Sequence, residues 1–402
     1  MTSAAEARRS AASREGAYRS LLAAHVLALV STGVATVALA LLAYRLVGAE
    51  AGAVLGTALA IKMLTYALIA PVAAAFVDHL PRRALFAGLN LFRAGILLIL
   101  PFVGQAWEIY LLVFIFQFAS AIFTPSYQAT IPDLLPDERD YLRALSLSRF
   151  LSELEGLASP ALSAVLLLLV NARGLFVGAA IGFVLATLLI LPISMPQPLR
   201  NPTGGILERT GRGLGRFLTV PRLRGLIGIN VAVALAAATA AVNTVVLVQN
   251  RLGLGERETA IALACFGAGS VTGALLVPHL LRKASDRPVM LVGAALVASM
   301  LIVAPLMLGY ARLLAIWFVL GAGCSVAHTP AGRLLCRSGT AAEMPALYAA
   351  QFSVFHLCLA VAYAVAGRMG SAIGILWDFI GLGLVAALAV AASARFWPRA
   401  SR

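Results

Sequence analysis

Residues Leu21–Tyr44 read LLAAHVLALVSTGVATVALALLAY, a run that contains no Asp, Glu, Lys or Arg. It is longer than the about 20 apolar residues with which an α-helix crosses the ~30 Å hydrocarbon core of a bilayer. Comparable runs recur at Leu226–Val248 and Val289–Tyr310. Of the 402 residues, 61% are hydrophobic and 12% are charged, whereas a soluble domain carries about 25% charged residues. The pattern therefore predicts a chain whose solvent is lipid.

Apolar runs separated by charged, Gly and Pro residues predict an all-α membrane protein with twelve transmembrane helices. The predicted helices lie at 21–45, 51–77, 84–103, 107–131, 141–170, 174–194, 225–249, 258–281, 288–309, 312–335, 345–367 and 371–394. One long polar interruption separates six helices from six. The predicted domains are an N-terminal tail (1–20), a six-helix half (21–195), a linker (196–224), a second six-helix half (225–394) and a C-terminal tail (395–402).

The positions of the basic residues predict the orientation of the chain, because Lys and Arg are retained on the cytoplasmic side during insertion. Placing both chain ends in the cytoplasm assigns 22 of the 31 basic residues to that side and six to the other, and leaves Lys62, Arg93 and Arg149 within helices. We expect a multi-pass protein of a bacterial-type inner (plasma) membrane with both termini cytoplasmic. The basic residues are scattered and form no stripe, so no nucleic-acid partner is expected.

The two halves contain a weak internal repeat. Shifting the second half by 205 residues aligns Thr124–Pro125 with Thr329–Pro330, and Arg82 with Arg287. Two parallel six-helix repeats related by an axis along the membrane normal place a central site between the halves. They also imply alternating access, in which one half rocks against the other.

The loop after the second predicted helix reads AAFVDHLPRR over Ala74–Arg83. It resembles the Gly-x-x-x-Asp-Arg-x-Gly-Arg-Lys element of the major facilitator superfamily, with other residues at both glycines and at the first arginine. The resemblance implies that superfamily's fold of two parallel six-helix repeats. It also implies a gate in which Asp78, Arg82 and Arg83 hold one conformation. The alternative is a loop that only orients the chain.

Two further stretches resemble exporters of the same superfamily. Ser159–Ala164, SPALSA, is similar to their Gly-Pro-x-x-Gly-Gly element, although ordinary packing of small residues between helices explains it equally well. Pro125–Glu138, PSYQATIPDLLPDE, is similar to a subgroup of siderophore, macrolide and nickel-resistance exporters. The resemblance implies export of a small organic solute, and a divalent transition metal such as nickel is the alternative cargo.

Three charged residues, Arg149, Glu153 and Glu155, lie within the fifth predicted helix. Such charges cost roughly 2.5–3.5 kcal/mol each on insertion scales, so they need a cavity or a partner. Arg149 and Glu153 are four residues apart and can pair on one face of the helix. We expect Glu155 to bind and release a proton during transport, with Glu153 and Arg149 as a structural or gating pair. The alternatives are a structural network that never titrates and coordination of a cation.

Neutral polar side chains follow the helices that line the cavity in the resembled superfamily, and they are candidates to orient a mostly apolar ligand. Each could instead make a hydrogen bond within or between helices. The candidates are Thr32, Thr36, Gln117, Ser120, Thr124, Gln128, Thr239, Asn243, Ser325 and His328. Cys324, His328, His356 and Cys358 raise the alternative of a soft-metal site, but positions 356 and 358 of one helix point apart. No metal site is therefore predicted.

These features predict a secondary active transporter that exports a small organic solute by alternating access, coupled to protons. No GxxxxGK[ST] phosphate loop and no catalytic cluster occur, so neither an ATP motor, an enzyme nor a cofactor is expected. The expected partners are a small-molecule substrate, the proton and the lipid bilayer, with a monomer as the working unit. Metal efflux and a non-transporting scaffold or receptor stay as alternatives.

Overall fold

The computed structural model describes residues 2–76, 81–135, 159–193, 214–306, 309–340 and 343–397, together with isolated positions between 136 and 196. Every regular element in these ranges is helical. In chain order the helices are α1 (Thr2–Val47), α2 (Ala51–Phe76), α3 (Arg82–Ile99), α4 (Ala106–Leu134), α5 (159–166), α6 (Ala172–Ile190), α7 (214–219), α8 (Pro221–Val245), α9 (Glu256–Lys283), α10 (Asp286–Val303), α11 (Tyr310–His328), α12 (Ala331–Cys336), α13 (Met344–Ile373) and α14 (Ile375–Phe396).

Short helical turns extend or connect several of these elements. Three 3-10 turns cover Gly48–Glu50, Leu100–Phe102 and Ala304–Leu306, and a π-helical turn at Val246–Arg251 continues α8. Gly48 has φ 57°, a left-handed conformation that glycine adopts without steric cost, so the chain can reverse between α1 and α2.

Ten stretches of the described chain are long and apolar enough to cross a membrane. The first of them, Glu15–Ile69, covers most of α1 and most of α2. Eleven long helices are thus described, and α5, described over 159–166, fits the remaining position of the twelve-helix prediction. The prediction of an all-α membrane fold is confirmed.

The first helix begins much earlier than hydropathy suggested, at Thr2 instead of residue 21. The stretch Thr2–Ser20 is rich in Ala, Glu and Arg, which are strong helix formers in water. A Glu15–Arg19 ion pair at 2.6 Å, one turn apart, adds to its stability. The hydropathy pattern detects only the part of a helix that meets lipid, so it missed this extension.

The same packing scheme occurs in both halves. In the first half α1 packs on α6, α3 packs on α6, and α2 packs on α4. In the second half α8 packs on α14, α10 packs on α14, and α11 packs on α9. These are equivalent pairs when α8 is matched to α1, so the described helices follow the two-repeat architecture predicted from the sequence.

Glycines bring the two halves together along α2 and α13, and we call this contact the seam. A Cβ added to Gly56 would lie 2.4 Å from the carbonyl oxygen of Tyr363, and one added to Gly367 would lie 2.4 Å from that of Gly52. Real Cβ atoms do not come so close, so only glycine permits this helix separation. Small residues are a general means of close helix packing in lipid.

The end of α14 and the glycine contacts of the seam lie at opposite faces of the helix bundle. Arg45 at the end of α1 pairs at 2.7 Å with Glu256 at the start of α9, so these ends share one face, which we call the far face. Gly52 of the seam, in the first turn of α2, lies near it. On the other face, the terminal face, Arg287 donates hydrogen bonds to the carbonyl oxygens of Ala394 and Trp397 at the end of α14.

Candidate functional site

A narrow, partly open cleft in the first half lies between α1, α2, α3 and α4 and has a cavity volume of about 30 Å³. Most of its wall is apolar. The polar members are Thr32 and Thr36 of α1, Lys62 of α2 and Gln117 of α4. The structure therefore brings together three of the side chains predicted to line a cavity and adds a cation to them. The residues lining the cleft are Thr32, Ala35, Thr36, Leu39, Leu59, Lys62, Leu97, Leu100, Val113, Phe116 and Gln117.

The polar groups of this cleft differ in whether they are already hydrogen-bonded. Thr32 and Thr36 donate to the backbone carbonyls one turn earlier, at 2.8 and 2.9 Å. Gln117 is only 4% exposed, and its Oε1 atom has no hydrogen-bond partner in the described structure. A buried acceptor without a partner costs roughly 1–3 kcal/mol, so Gln117 favours any ligand that can donate a hydrogen bond to it.

Lys62 connects the cleft to the seam. It lies on α2, the helix that packs on α13, and interacts electrostatically with His356 of α13. One turn further along α2, the ring of Tyr66 lies 6.0 Å from the ring of His356. The sequence predicted that Lys62 is a charged residue within a transmembrane helix, but it did not predict which residues Lys62 contacts. Its place in the cleft depends on which face of α2 points toward α1 and α4.

The other predicted side chains of α4 are placed outside this cleft. The hydroxyls of Ser120 and Thr124 donate to carbonyl oxygens of their own helix, at 3.1 and 3.2 Å. Gln128 is exposed. Ser120 and Thr124 therefore make hydrogen bonds within their own helix, which was the alternative to a role in binding a ligand.

The predicted side chains of the second half are engaged in hydrogen bonds. Thr239 donates to Leu235 O at 2.8 Å, and Asn243 donates to Asp378 at 2.7 Å. The hydroxyls of Ser325 and Ser270 are 2.7 Å apart and join α11 to α9. These contacts position the helices of the second half.

His328 belongs to a polar cluster between α8, α11 and α13. Its Nε2 atom lies 3.5 Å from the amide of Gln351, and its ring stacks on Phe355 at 4.4 Å. Gln351 and Asn230 exchange two hydrogen bonds of 3.1 Å. Because Asn230 and Gln351 are buried, this amide pair fixes the contact of α8 with α13.

Two ion pairs, which we call the clasps, join helices at the terminal face. The N-clasp is Arg82, the first residue of α3, with Asp133 near the end of α4. The C-clasp is Asp286, the first residue of α10, with Arg337 at 2.8 Å and Arg333 at 3.2 Å. Of the three predicted gate residues, Arg82 is thus paired, Arg83 is exposed, and Asp78 lies outside the described residues.

The charged residues predicted in the fifth helix, Arg149, Glu153 and Glu155, also lie outside the described residues. The described part of α5 packs on α1, where the Ser159 hydroxyl donates to Val30 O at 3.3 Å. Proton coupling through this helix therefore stays a prediction.

A third basic residue within the helices, Arg93 of α3, is buried between aromatic rings. Its guanidinium carbon lies 4.6 Å from the ring centroid of Phe123 and 4.5 Å from that of Phe183. The guanidinium also donates to Asn90 Oδ1. Cation–π contacts and hydrogen bonds can stabilise a desolvated arginine, so Arg93 holds α3 to α4 and α6.

The soft-metal alternative gains no support within the described residues. No group of three or more His, Cys, Asp or Glu side chains that could hold a metal ion occurs there. The Nδ1–H of His356 can donate to Phe352 O of its own helix at 2.8 Å, and Cys324 is buried.

Comparisons with known proteins point to transporters. Macrolide efflux protein A of Enterococcus faecalis is 26% identical over 153 residues, which cover 36% of this chain and 47% of that protein. Macrolide efflux protein A of Streptococcus pyogenes is 26% identical over 149 residues, covering 36% of each chain. This chain thus spans less than half the length of the curated relatives it matches.

Solved structures share the fold at low sequence identity. A bacterial homolog of the human lysosomal transporter Spinster, in an inward-facing and unoccupied conformation, has a TM-score of 0.78 and 14% identity, covering 96% of this chain and 97% of that one. A POT family transporter in complex with 5-aminolevulinic acid has a TM-score of 0.75 and 14% identity, covering 96% of both chains. The sequence profile of the Major Facilitator Superfamily matches residues 21–303, and this chain belongs to that superfamily.

Proposed function

We propose that this superfamily member exports a small organic solute across a bacterial-type inner membrane, in exchange for protons and by alternating access. The cleft of the first half is the observation that carries the proposal. Its wall suits an apolar ligand, while Gln117 supplies an acceptor without a partner and Lys62 a cation. A mostly apolar pocket with a few convergent polar groups is the usual form of a small-molecule site.

The packing at the far face supports alternating access. The seam glycines and the Arg45–Glu256 ion pair hold the halves together at that face. The contact is made of small side chains and one partly exposed ion pair, and exposed pairs contribute only about 0–1 kcal/mol each. Such a contact can open without exposing a large hydrophobic core, as rocking of one half against the other requires.

Proton coupling is assigned to the fifth helix, with Glu155 as the proton carrier and Glu153 and Arg149 beside it. A carboxyl group in a transmembrane helix loses its charge more easily than one in water, so its charge depends on access to water. A proton bound from one side and released to the other would drive the conformational cycle. The partial matches to macrolide efflux proteins support export as the direction.

Transport by reconstituted protein tests the coupling. Liposomes with an imposed pH gradient are loaded with a panel of dyes, a macrolide, or nickel and cobalt ions, and efflux is compared for the wild type, Glu155→Gln and Glu153→Gln. We expect Glu155→Gln to abolish the response to the gradient. Equal transport by all three proteins would remove the fifth helix from coupling, and movement of nickel or cobalt alone would replace the organic solute with a metal.

A second pair of variants tests the cleft. Gln117→Leu removes the unpaired acceptor, whereas Ser120→Ala, on the same helix, removes a hydroxyl that among the described residues donates to Phe116 O of its own helix. We expect Gln117→Leu to raise the apparent KM about tenfold, the effect of losing one hydrogen bond of about 1.4 kcal/mol, and Ser120→Ala to leave it unchanged. Equal KM values for both variants would place the solute elsewhere.

A further inference from the structure

A second buried acid lies in the half that does not contain the cleft. Asp378, in the first turn of α14, is 0% exposed. Its Oδ2 atom accepts a hydrogen bond of 2.7 Å from Nδ2 of Asn243 on α8. Its Oδ1 atom is buried and has no hydrogen-bond partner in the described structure. In the described structure, one of the two side-chain oxygens of Asp378 therefore receives a side-chain hydrogen bond, and its donor is a neutral amide.

Among the described residues, no charged side chain of the neighbouring elements forms an ion pair with Asp378. The elements packed on α14 are α8, α10, α13 and the 3-10 turn Ala304–Leu306, which carries no charged residue. Near the far face they contribute Arg251, in the turn after α8, and Arg368 on α13, and both side chains are exposed. Among the ion pairs of the described residues, neither arginine is joined to Asp378.

The surroundings of Asp378 favour its uncharged form. Removing an ionised carboxylate from water is far more costly than burying a neutral carboxylic acid, unless cations or several donors compensate. One amide donor is a weak compensation. With a proton on Oδ1, Oδ2 still accepts from Asn243, and the remaining cost is one unsatisfied hydroxyl, roughly 1–3 kcal/mol.

Asn243 joins this acid to the seam. Its Oδ1 atom lies 3.5 Å from the place where a Cβ of Gly52 would be, and 3.3 Å from that of Gly370 on α13. The Gly370 position is also 3.5 Å from Oδ2 of Asp378. Because Gly52 belongs to the first half, the amide that binds Asp378 directly faces the contact between the halves. If the halves part at the far face, water reaches Asn243 and then the acid.

We propose that Asp378 is a proton-binding site of the second half, which holds a proton while the seam is packed and releases it to water at the far face when the halves part. The proposal rests on the alternating access of the proposed function. It adds a second proton-binding group on the opposite half from Glu155, and the proton of this group exchanges with water at the far face alone. Closing the far face would then require a proton taken from that side.

The direction of the pH effect follows from the difference in bound protons between the packed and the parted seam. The packed seam binds one proton more than the parted seam, so lower pH favours packing and higher pH favours parting. The Arg45–Glu256 ion pair also joins the two halves at the far face, and Glu256→Gln removes this pair without changing Asp378.

Distances between spin labels across the far face test the proposal without substrate or gradient. Ala49→Cys in the first half and Arg257→Cys in the second are exposed positions for the labels, with the four native cysteines replaced by serine. In lipid nanodiscs we expect the short-distance population to grow as the pH falls from about 9 to about 5. Asp378→Asn, which mimics the protonated acid, should give the short distance at every pH, whereas Glu256→Gln should keep the pH response.

Several outcomes would overturn the proposal. One is a pH response of Asp378→Asn equal to that of the parent protein, and another is loss of the response in Glu256→Gln. If Asp378→Asn does not fold, the spin-label distance in the parent protein still tests the proposal. A distance across the far face that does not change with pH would contradict it. Loss of gradient response in transport by Glu155→Gln with an unchanged spin-label result would separate this site from the fifth helix.

Discussion

The two clasps join equivalent helices of the two halves with their charges exchanged. In each, the acid and the principal base are 51 residues apart in sequence. In the first half the base begins a helix and the acid lies near the end of the next one. In the second half the acid Asp286 begins α10 and Arg337 follows α12. The repeat therefore preserves the place of an ion pair and not its polarity.

The helix dipoles make the two arrangements unequal. A helix N-terminus carries partial positive charge and a C-terminus partial negative charge, and a suitable side chain there contributes about 0.3–1 kcal/mol. Asp286 and Arg337 agree with this rule, whereas Arg82 and Asp133 both oppose it. The buried partner also differs: it is Arg82 in the N-clasp, 9% exposed, and Asp286 in the C-clasp, 5% exposed.

The largest effects are expected when the buried partner of a clasp is left alone. Asp133→Ala leaves the Arg82 guanidinium buried, and Arg333→Ala with Arg337→Ala leaves the Asp286 carboxylate buried. We expect each to lower the free energy of unfolding by about 2–3 kcal/mol, because an uncompensated buried charge is costly. Arg82→Ala and Asp286→Ala leave partners that reach water more easily, so about 1 kcal/mol is expected.

Equilibrium unfolding in mixed detergent micelles measures these differences. The comparison within each clasp is its own control, because both variants remove the same ion pair. If removal of the acid and of the base had equal effects in both clasps, burial would not be what distinguishes the partners.

A smaller effect is expected from exchanging the charges of one clasp. Arg82→Asp combined with Asp133→Arg gives the N-clasp the polarity of the C-clasp. We expect the double variant to be about 0.5–1 kcal/mol more stable than the parent protein, because both charges now agree with the helix dipoles. The matched control is Asp286→Arg with Arg337→Asp, which should be less stable than the parent. Equal stability of both exchanged proteins would show that the dipoles are unimportant at this face.

The smallest effect concerns Glu343, which precedes α13 and pairs with Arg216 of α7 at 3.1 Å. A backbone hydrogen bond from Thr340, with side-chain bonds from Arg216 and Thr340, lowers the pKa of Glu343. Because the folded-state pKa lies below the unfolded one, this contribution is present above the unfolded pKa and is lost as the pH falls through the folded value. Thermal unfolding from neutral to acid pH should therefore show a slightly steeper loss for the parent than for Glu343→Gln. A Glu343→Gln profile that superposes on the parent's would contradict this.

Much of the fold follows from hydropathy, because lipid requires long uncharged runs and helices that satisfy their own backbone. Such runs predicted Leu21–Tyr44 as a membrane helix and the even division around the linker. They did not predict that α1 starts at Thr2, since that extension depends on helix propensity in water. The candidate site was predictable in part: Thr32 and Thr36 are one turn apart on one helix face, and both line the cleft.

The sequence could not predict which polar side chains of different helices contact one another. Asn243 and Asp378 are 135 residues apart, and no periodicity relates a residue of α8 to one of α14. Lys62 enters the cleft because α2 packs on α4 and α13, and this packing sets its rotation. Local composition determines the solvent, the segments able to cross the membrane and the polar face of each helix. Contacts between helices, which depend on side-chain shape over the whole bundle, select which polar groups meet and which remain without a partner.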